Sequence, residues 1–177
     1  MSFDKITVVI NTFHSEDQIN QCLDTVPSDL EVIVVENSNN LNFKNKIEKN
    51  YNNTRCYLTG KNLGYAKGNN YGLAKVKTQF ALILNPDAKL KKDAIKNFLI
   101  SSEKIKDFAI IGPAKQDEFQ KNNERVIEEN LLLVDNLKGF AMFLNLDELR
   151  EIGFFDENFF IYLEETDLCK RIRKKNK

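Results

Sequence analysis

The sequence predicts an α/β domain with a mostly parallel central sheet flanked by helices. Three observations predict it. Apolar runs such as Phe80-Ala81-Leu82-Ile83-Leu84 do not alternate, as expected of strands covered on both faces. Strand-like and helix-like segments take turns along the chain, which favours parallel pairing through right-handed crossovers. Each strand-like run also stops in polar residues, so one edge of the sheet gathers Thr12, Glu36, Asn37 and Asp87. In open α/β sheets, ligands bind outside the carboxyl ends of the strands.

Lys5 to Asn11 is β-branched and apolar and reads as the first strand. After Thr12-Phe13-His14, Ser15 with Gln18 three residues on fits a capping box, ahead of Ile19, Cys22, Leu23 and Val26 at helical spacing. Glu31 to Glu36 is a second buried strand that ends in the polar loop Asn37 to Asn40. Phe43 to Lys49 reads as a short helix and Arg55 to Leu58 as a third strand. Asn62 to Gly72 is rich in Gly and Asn. Gly64 allows a sharp turn and a close approach of backbone to a ligand. A helix starting at Ala66 would offer its N-terminal amides to phosphate; the same stretch also reads as a plain connector. Its spacing is neither G-x-G-x-x-G nor G-x-x-x-x-G-K-[ST], which weakens dehydrogenase and P-loop readings.

Phe80 to Leu84 then stops in Asn85-Pro86-Asp87. Pro86 cannot donate to a sheet ladder and biases Asn85 toward extended backbone, so Asp87 is presented at the end of a central strand. One carboxylate on a rigid strand end suits a hard cation such as Mg²⁺ or Mn²⁺, which bridges to phosphate oxygens. The tripeptide is equally an ordinary turn. Lys91 to Ile105 reads as a helix with a lysine-rich outer face, and Phe108 to Pro113 as a strand. The polar stretch 115–130 has no period and reads as a mobile loop over the active edge. Leu131 to Asp135 reads as an edge strand, Gly139 to Leu144 as another strand, and Leu146 to Ile152 as a helix stopped at Gly153. From Phe154 to Leu168, aromatic rings crowd a cluster of carboxylates. Burial against those rings would raise one carboxyl pKa, which suits a general base. A solvated, acidic helix start is the plainer alternative.

Composition narrows the classes. The 177 residues suffice for one domain, and 42% hydrophobic with 29% charged residues is ordinary for a soluble globular protein. Lys plus Arg and Asp plus Glu stand at 26 each, so no global field favours nucleic acid. No apolar run approaches the roughly 20 residues of a membrane helix, and Asp4 and Lys5 before a short strand-like run do not read as a secretory h-region with its cleavage site. Cys22, Cys56 and Cys169 are widely spaced and odd in number, which argues against a disulfide framework or zinc site and for a reducing, cytoplasmic setting. The lone histidine, His14, excludes a His-rich metal site. The tail Lys170 to Lys177 holds six basic residues, read either as a solvated helix end or as a contact with an anionic membrane surface.

Several motifs agree in order and spacing: Val8 to Phe13, Val32 to Ser38, Asn62 to Gly72, Leu84 to Asp87, and Gly139 to Arg173. In them the chain resembles glycosyltransferase family 2, inverting enzymes of the Rossmann-like GT-A fold, and looks closest to its rhamnosyltransferase-like subgroup. The resemblance implies one domain over residues 1–177, with a nucleotide-sugar-binding half (1–114) and an acceptor and catalytic half (115–177). It implies a UDP- or dTDP-sugar donor and a saccharide or lipid-linked acceptor in polysaccharide biosynthesis. It also implies a divalent cation on Asp87 and a site at the cytoplasmic face of the inner membrane. By the resemblance Thr12, Glu36 and Asn37 line base and ribose, and Asn62 and Gly64 shape the donor pocket, with Asn85 beside them. Glu165 falls on the catalytic base, and Asp156 and Glu164 face the acceptor. The family usually has Asp where Glu36 and Glu165 stand, and it continues past Arg173. The chain is therefore expected to be a fragment or a minimal member. A non-catalytic remnant that binds sugar nucleotide or a partner is the alternative. A nucleotidyltransferase of related fold should carry a Gly-rich, basic loop after the first strand, which Thr12-Phe13-His14-Ser15 lacks.

Overall fold

The computed structural model describes residues 3–105, 107–114, 126–128 and 131–175. The strands are β1 (Ile6–Thr12), β2 (Glu31–Glu36), β3 (Thr54–Leu58), β4 (Phe80–Leu84), β5 (Ile110–Ile111), β6 (Val126–Glu128), β7 (Leu131–Leu132) and β8 (Ala141–Asn145). The helices are α1 (Ile19–Leu23), α2 (Leu41–Asn50), α3 (Gly64–Leu73), α4 (Ala94–Lys104), α5 (Leu146–Ile152) and α6 (Glu164–Lys174).

One sheet runs in the order β3-β2-β1-β4-β8-β5. The first four of these are mutually parallel, and β8 lies antiparallel to both β4 and β5. Strand order reverses at β1, between β2 and β4, which is where an open α/β sheet leaves a crevice at its carboxyl edge. Because β8 runs against β4 with Ala141 opposite Leu84, the Gly139-Phe140 turn lands on that same edge.

Successive residues of the main-sheet strands serve opposite cores, and both cores are apolar, so alternation disappears from the sequence. Val8, Ile10, Val32, Val34, Leu82 and Leu84 pack with Ile19, Phe43, Ile47, Ile95 and Phe98 of α1, α2 and α4. Val9, Ile33, Val35, Ala81 and Ile83 pack with Ala66, Leu73, Leu149, Leu168 and Ile172 of α3, α5 and α6. Placing α3 and α6 on one face brings their N-termini together. That is the step that assembles the candidate site.

Four local expectations change. Ser15 does not cap a helix: α1 begins only at Ile19, and Gln18 at its N-cap makes no side-chain cap bond. The Ser15 hydroxyl donates to the Phe13 carbonyl at 3.2 Å, while the Ser15 carbonyl receives the amides of Gln18 and Ile19, so the segment is a turn entered through left-handed His14. The strand expected over Phe108 to Pro113 pairs only at Ile110–Ile111, where it meets Leu144 and Phe143. The helix expected from Lys91 starts at Ala94. Leu131–Leu132 joins β6 in a separate two-stranded ribbon rather than edging the main sheet. The expected loop over 115–130 lies outside the described residues, apart from β6.

Candidate active site

The turn after β4 is fixed by its own backbone. Asn85 donates its amide to the Phe140 carbonyl at 2.9 Å, and the Ala88 amide donates to the Asn85 carbonyl at 3.0 Å, which closes the turn around Pro86 and Asp87. Beneath it, the Cys22 thiol donates to the same Asn85 carbonyl at 3.5 Å. Burial, then the charge of Asp87, pushes that thiol up to about 12, so it stays a protonated donor. Asp87 itself is exposed, and no hydrogen bond or ion pair among the described residues engages its carboxylate.

The ends of β1 and β2 carry a buried polar network. Thr12 donates its hydroxyl to the Val35 carbonyl at 3.3 Å. The Glu36 carboxylate accepts the amides of Ser38 at 2.8 Å and Asn40 at 2.6 Å, and the Ser38 hydroxyl as well. Thr12, Glu36 and Asn37 are each only 2% exposed. Asn37 donates to Asn11 Oδ1 at 2.6 Å and accepts from Thr59 Oγ1 and the Leu63 amide. Asn11 in turn donates to the carbonyls of Gly64 and Tyr65 at 3.0 and 3.3 Å. The structure thus brings Thr12, Glu36, Asn37, Asn62 and Gly64 to one rim, but with the Glu36 carboxylate spent on its own loop. Sequence reasoning missed Asn11. Its signal was an amide at the end of an apolar run, in a strand buried on both faces.

Gly64 does provide a close approach, but to protein rather than to open space. At φ +74°, a Cβ on Gly64 would run into the Phe160 carbonyl oxygen and stand 2.8 Å from the Phe160 ring. The Gly64 amide donates to Asn62 Oδ1 at 2.9 Å, and the Tyr65 amide to the Phe160 carbonyl at 2.7 Å. The helix starts at Gly64 rather than at Ala66, and the amides of its first two residues are engaged by the chain itself.

The acidic segment is held by two clamps. Arg171 donates to the carbonyls of Ile152, Gly153 and Phe154 and to Asp167. Asn70 bonds both the amide and the carbonyl of Phe155. Asp156 closes a local turn on Asn158. The chain then enters α6 through two left-handed residues, Tyr162 (φ 70°) and Leu163 (φ 73°), both exposed. Glu164 follows at 4% exposure, and its Oε2 has no partner among the described residues. Burial, then the charge of Glu165, pushes the Glu164 carboxyl up. Of the adjacent acids Glu164 is thus the buried one, while Glu165 remains half-buried beside it.

Tyr65 joins the two regions. Its hydroxyl donates to the Gly139 carbonyl, and its ring meets Phe155 edge-on at 5.9 Å. Burial pushes the phenol up, and the charges of Glu164 and Glu165 add to it. Tyr65 therefore links the Gly139-Phe140 turn, which holds the Asp87 turn through Asn85, to the Phe160 segment that leads into α6.

Among the described residues no group of three or more His, Cys, Asp or Glu could hold a metal ion. A single unengaged carboxylate fits a cation whose other positions are filled by water and phosphate oxygens, and does not fit a protein-only cage. A hollow of about 1520 Å³, walled by residues such as Leu84, Phe98, Phe108 and Leu137, includes neither Asp87 nor Glu165. The candidate site is an edge of the sheet rather than that cavity.

Comparison with known proteins bears on the family and the fold. The chain is 26% identical to the low-salt glycan biosynthesis hexosyltransferase Agl10 of Haloferax volcanii, over 98% of this chain and 63% of the relative. It is 24% identical to the rhamnosyltransferase WbbL of Escherichia coli, over 94% of this chain and 76% of the relative. Its fold matches that of the mannosyltransferase PcManGT from Pyrobaculum calidifontis, solved with GDP-Man and Mn²⁺, at a TM-score of 0.78 and 18% identity. That match covers 95% of this chain and 51% of the solved one, so the chain spans about half to three quarters of the proteins it resembles. The GT-A fold implied by the sequence motifs is borne out. Residues 7–169 match the family description in one continuous block, and the chain belongs to glycosyl transferase family 2.

Proposed function

We propose that the chain transfers a sugar from a nucleotide-diphospho-sugar, UDP- or dTDP-linked, to a saccharide or lipid-linked acceptor, with inversion, in cell-surface polysaccharide biosynthesis. The observation that carries this reading is a chain of contacts at the carboxyl edge of the sheet. The turn that carries the unengaged Asp87 is tied through Asn85 to Phe140, Tyr65 bonds the adjacent Gly139 carbonyl, and the Tyr65 amide bonds Phe160, four residues before Glu164, which Glu165 follows.

Glu165 takes the proton from an acceptor hydroxyl. The hydroxyl oxygen attacks the anomeric carbon, and the bond to the diphosphate breaks on the opposite side, leaving with its electron pair. Mg²⁺ or Mn²⁺, held through Asp87, would supply charge neutralisation for the leaving diphosphate. The main chain around Thr12, Asn37, Asn62, Gly64 and Asn85 walls the donor. Glu36 holds the 38–40 loop in place for it. Asp156 and Glu164 shape the acceptor side. The family assignment and the GDP-Man and Mn²⁺ in the Pyrobaculum enzyme support a nucleotide-sugar donor and a divalent cation. The basic end of α6 would rest on an anionic membrane surface at its cytoplasmic face, although Arg171 and Arg173 are already engaged by Asp167 and Asp135.

The substituted acids favour a second reading, a sugar-nucleotide-binding or partner-binding remnant without turnover. One added methylene displaces a carboxylate by about an ångström, which can cost about 100-fold in rate. Calorimetric titration with nucleoside diphosphates and Mn²⁺, run beside a donor-hydrolysis assay, separates the two. Binding with turnover is the expected result. Binding without turnover supports the remnant, and absence of binding overturns both.

A further inference from the structure

We infer that Tyr65 is a positioning residue that sets the Asp87 turn against the start of α6. This rests on the functional reading above and deepens it. Tyr65 bonds toward the Asp87 turn through its hydroxyl and toward the segment leading into α6 through its amide. Its hydroxyl donates to the Gly139 carbonyl. The next carbonyl along, that of Phe140, receives the Asn85 amide at 2.9 Å and so fixes the turn that carries Asp87. On its other side the Tyr65 amide donates to the Phe160 carbonyl, four residues before Glu164. Its ring packs edge-on against Phe155, and Glu164 and Glu165 both act on its phenol.

Two glycines make room for this junction. A Cβ on Gly139 would stand 3.1 Å from the Tyr65 oxygen, tighter than ordinary contact, and a Cβ on Gly64 would collide with Phe160. Both glycines are needed where backbone must pass close to backbone or phenol, and Tyr65 stands between the two places. Asn11 and Asn69 hold the Tyr65 carbonyl from below, at 3.3 and 3.0 Å, so the residue is fixed at its amide, its carbonyl and its hydroxyl. A residue whose main chain is held on both sides and whose hydroxyl is also bonded transmits position rather than merely filling space. A transfer reaction in which the leaving group and the base sit on different elements needs such a spacer, because misplacement by about an ångström can cost about 100-fold.

The test uses the full chain and the variants Tyr65→Phe and Gly139→Ala. Tyr65→Phe keeps the ring and removes the hydroxyl; Gly139→Ala keeps the hydroxyl and crowds it. Amide hydrogen exchange is read at Asn85 and at Asp167, whose N–H groups bond to Phe140 and Leu163. The expected result is exchange faster by about tenfold at both amides in each variant, the scale of one lost hydrogen bond. Unchanged protection at Asn85 in both variants overturns the inference, whether or not the chain transfers sugar. In the transfer assay the expected result is a kcat lowered by about 100-fold with donor KM changed less than about threefold. A kcat equal to that of the wild type also overturns it. An inactive wild type counts against the functional reading, and the exchange result then decides the role of Tyr65 by itself.

Discussion

The Phe160 carbonyl oxygen occupies the space where Gly64 would carry a side chain, and it accepts the amide of the next residue, Tyr65, at 2.7 Å. The start of α3 is thereby sealed by a segment nearly a hundred residues further along the chain. Gly64→Ala must push two backbones apart at a φ of +74° that also disfavours any Cβ. The expected loss is about 2–4 kcal/mol, the left-handed cost plus the clash. Urea denaturation at unchanged m-value measures it; a midpoint within error of the wild type would show that this contact is dispensable.

Arg171 supplies one planar fork to three carbonyls and one carboxylate. Lysine has a single point charge and cannot reproduce that set. Arg171→Lys should lose about 1–3 kcal/mol and loosen residues 153–156. Limited proteolysis within that segment, faster in the variant, is the corroborating readout, and equal cleavage rates would argue against the clamp.

Glu164 gives a pH prediction with a definite sign. Burial raises its folded-state pKa above the ordinary 4.5, so the folded chain holds a proton that the unfolded chain releases. The neutral form therefore supports the fold fully below about pH 4.5, and that support is lost as pH rises through the folded value. Glu164→Gln keeps a neutral group throughout. Its stability relative to the wild type should be near zero at about pH 4 and should rise as pH increases above the ordinary carboxyl range, levelling off once pH passes the raised folded value. A difference that shrinks with rising pH would reverse the assignment.

Leu163 is 62% exposed and left-handed at φ 73°, so its side chain contributes little burial and some strain. Leu163→Gly should stabilise by about 0.5–1 kcal/mol, and Leu163→Val should destabilise by about 1 kcal/mol or more. Thermal melts of the two variants moving in the same direction would contradict the strain.

The strands and their polar ends could be read from the sequence because a doubly covered strand leaves an unbroken apolar run; Phe80 to Leu84 and Leu146 to Ile152 lie where the residues place them. The network at the rim could not. Whether the Glu36 carboxylate meets a ligand or its own loop depends on where the amides of Ser38 and Asn40 fall, and no periodicity encodes that. Gly64 shows the same limit. Its need for a close approach was readable, but the approaching atom belongs to Phe160, a contact only the tertiary fold creates. Of the two adjacent acids, the resemblance points to Glu165 while burial falls on Glu164, because helix phase and not local composition decides which one turns inward.

The most direct measurement is sugar transfer by the wild type, Asp87→Ala and Glu165→Gln, each shown to be folded, with the anomeric configuration of the product read by NMR. The account predicts an inverted product from the wild type and loss of transfer in both variants. Full transfer by both folded variants, or retention at the anomeric carbon, would contradict it.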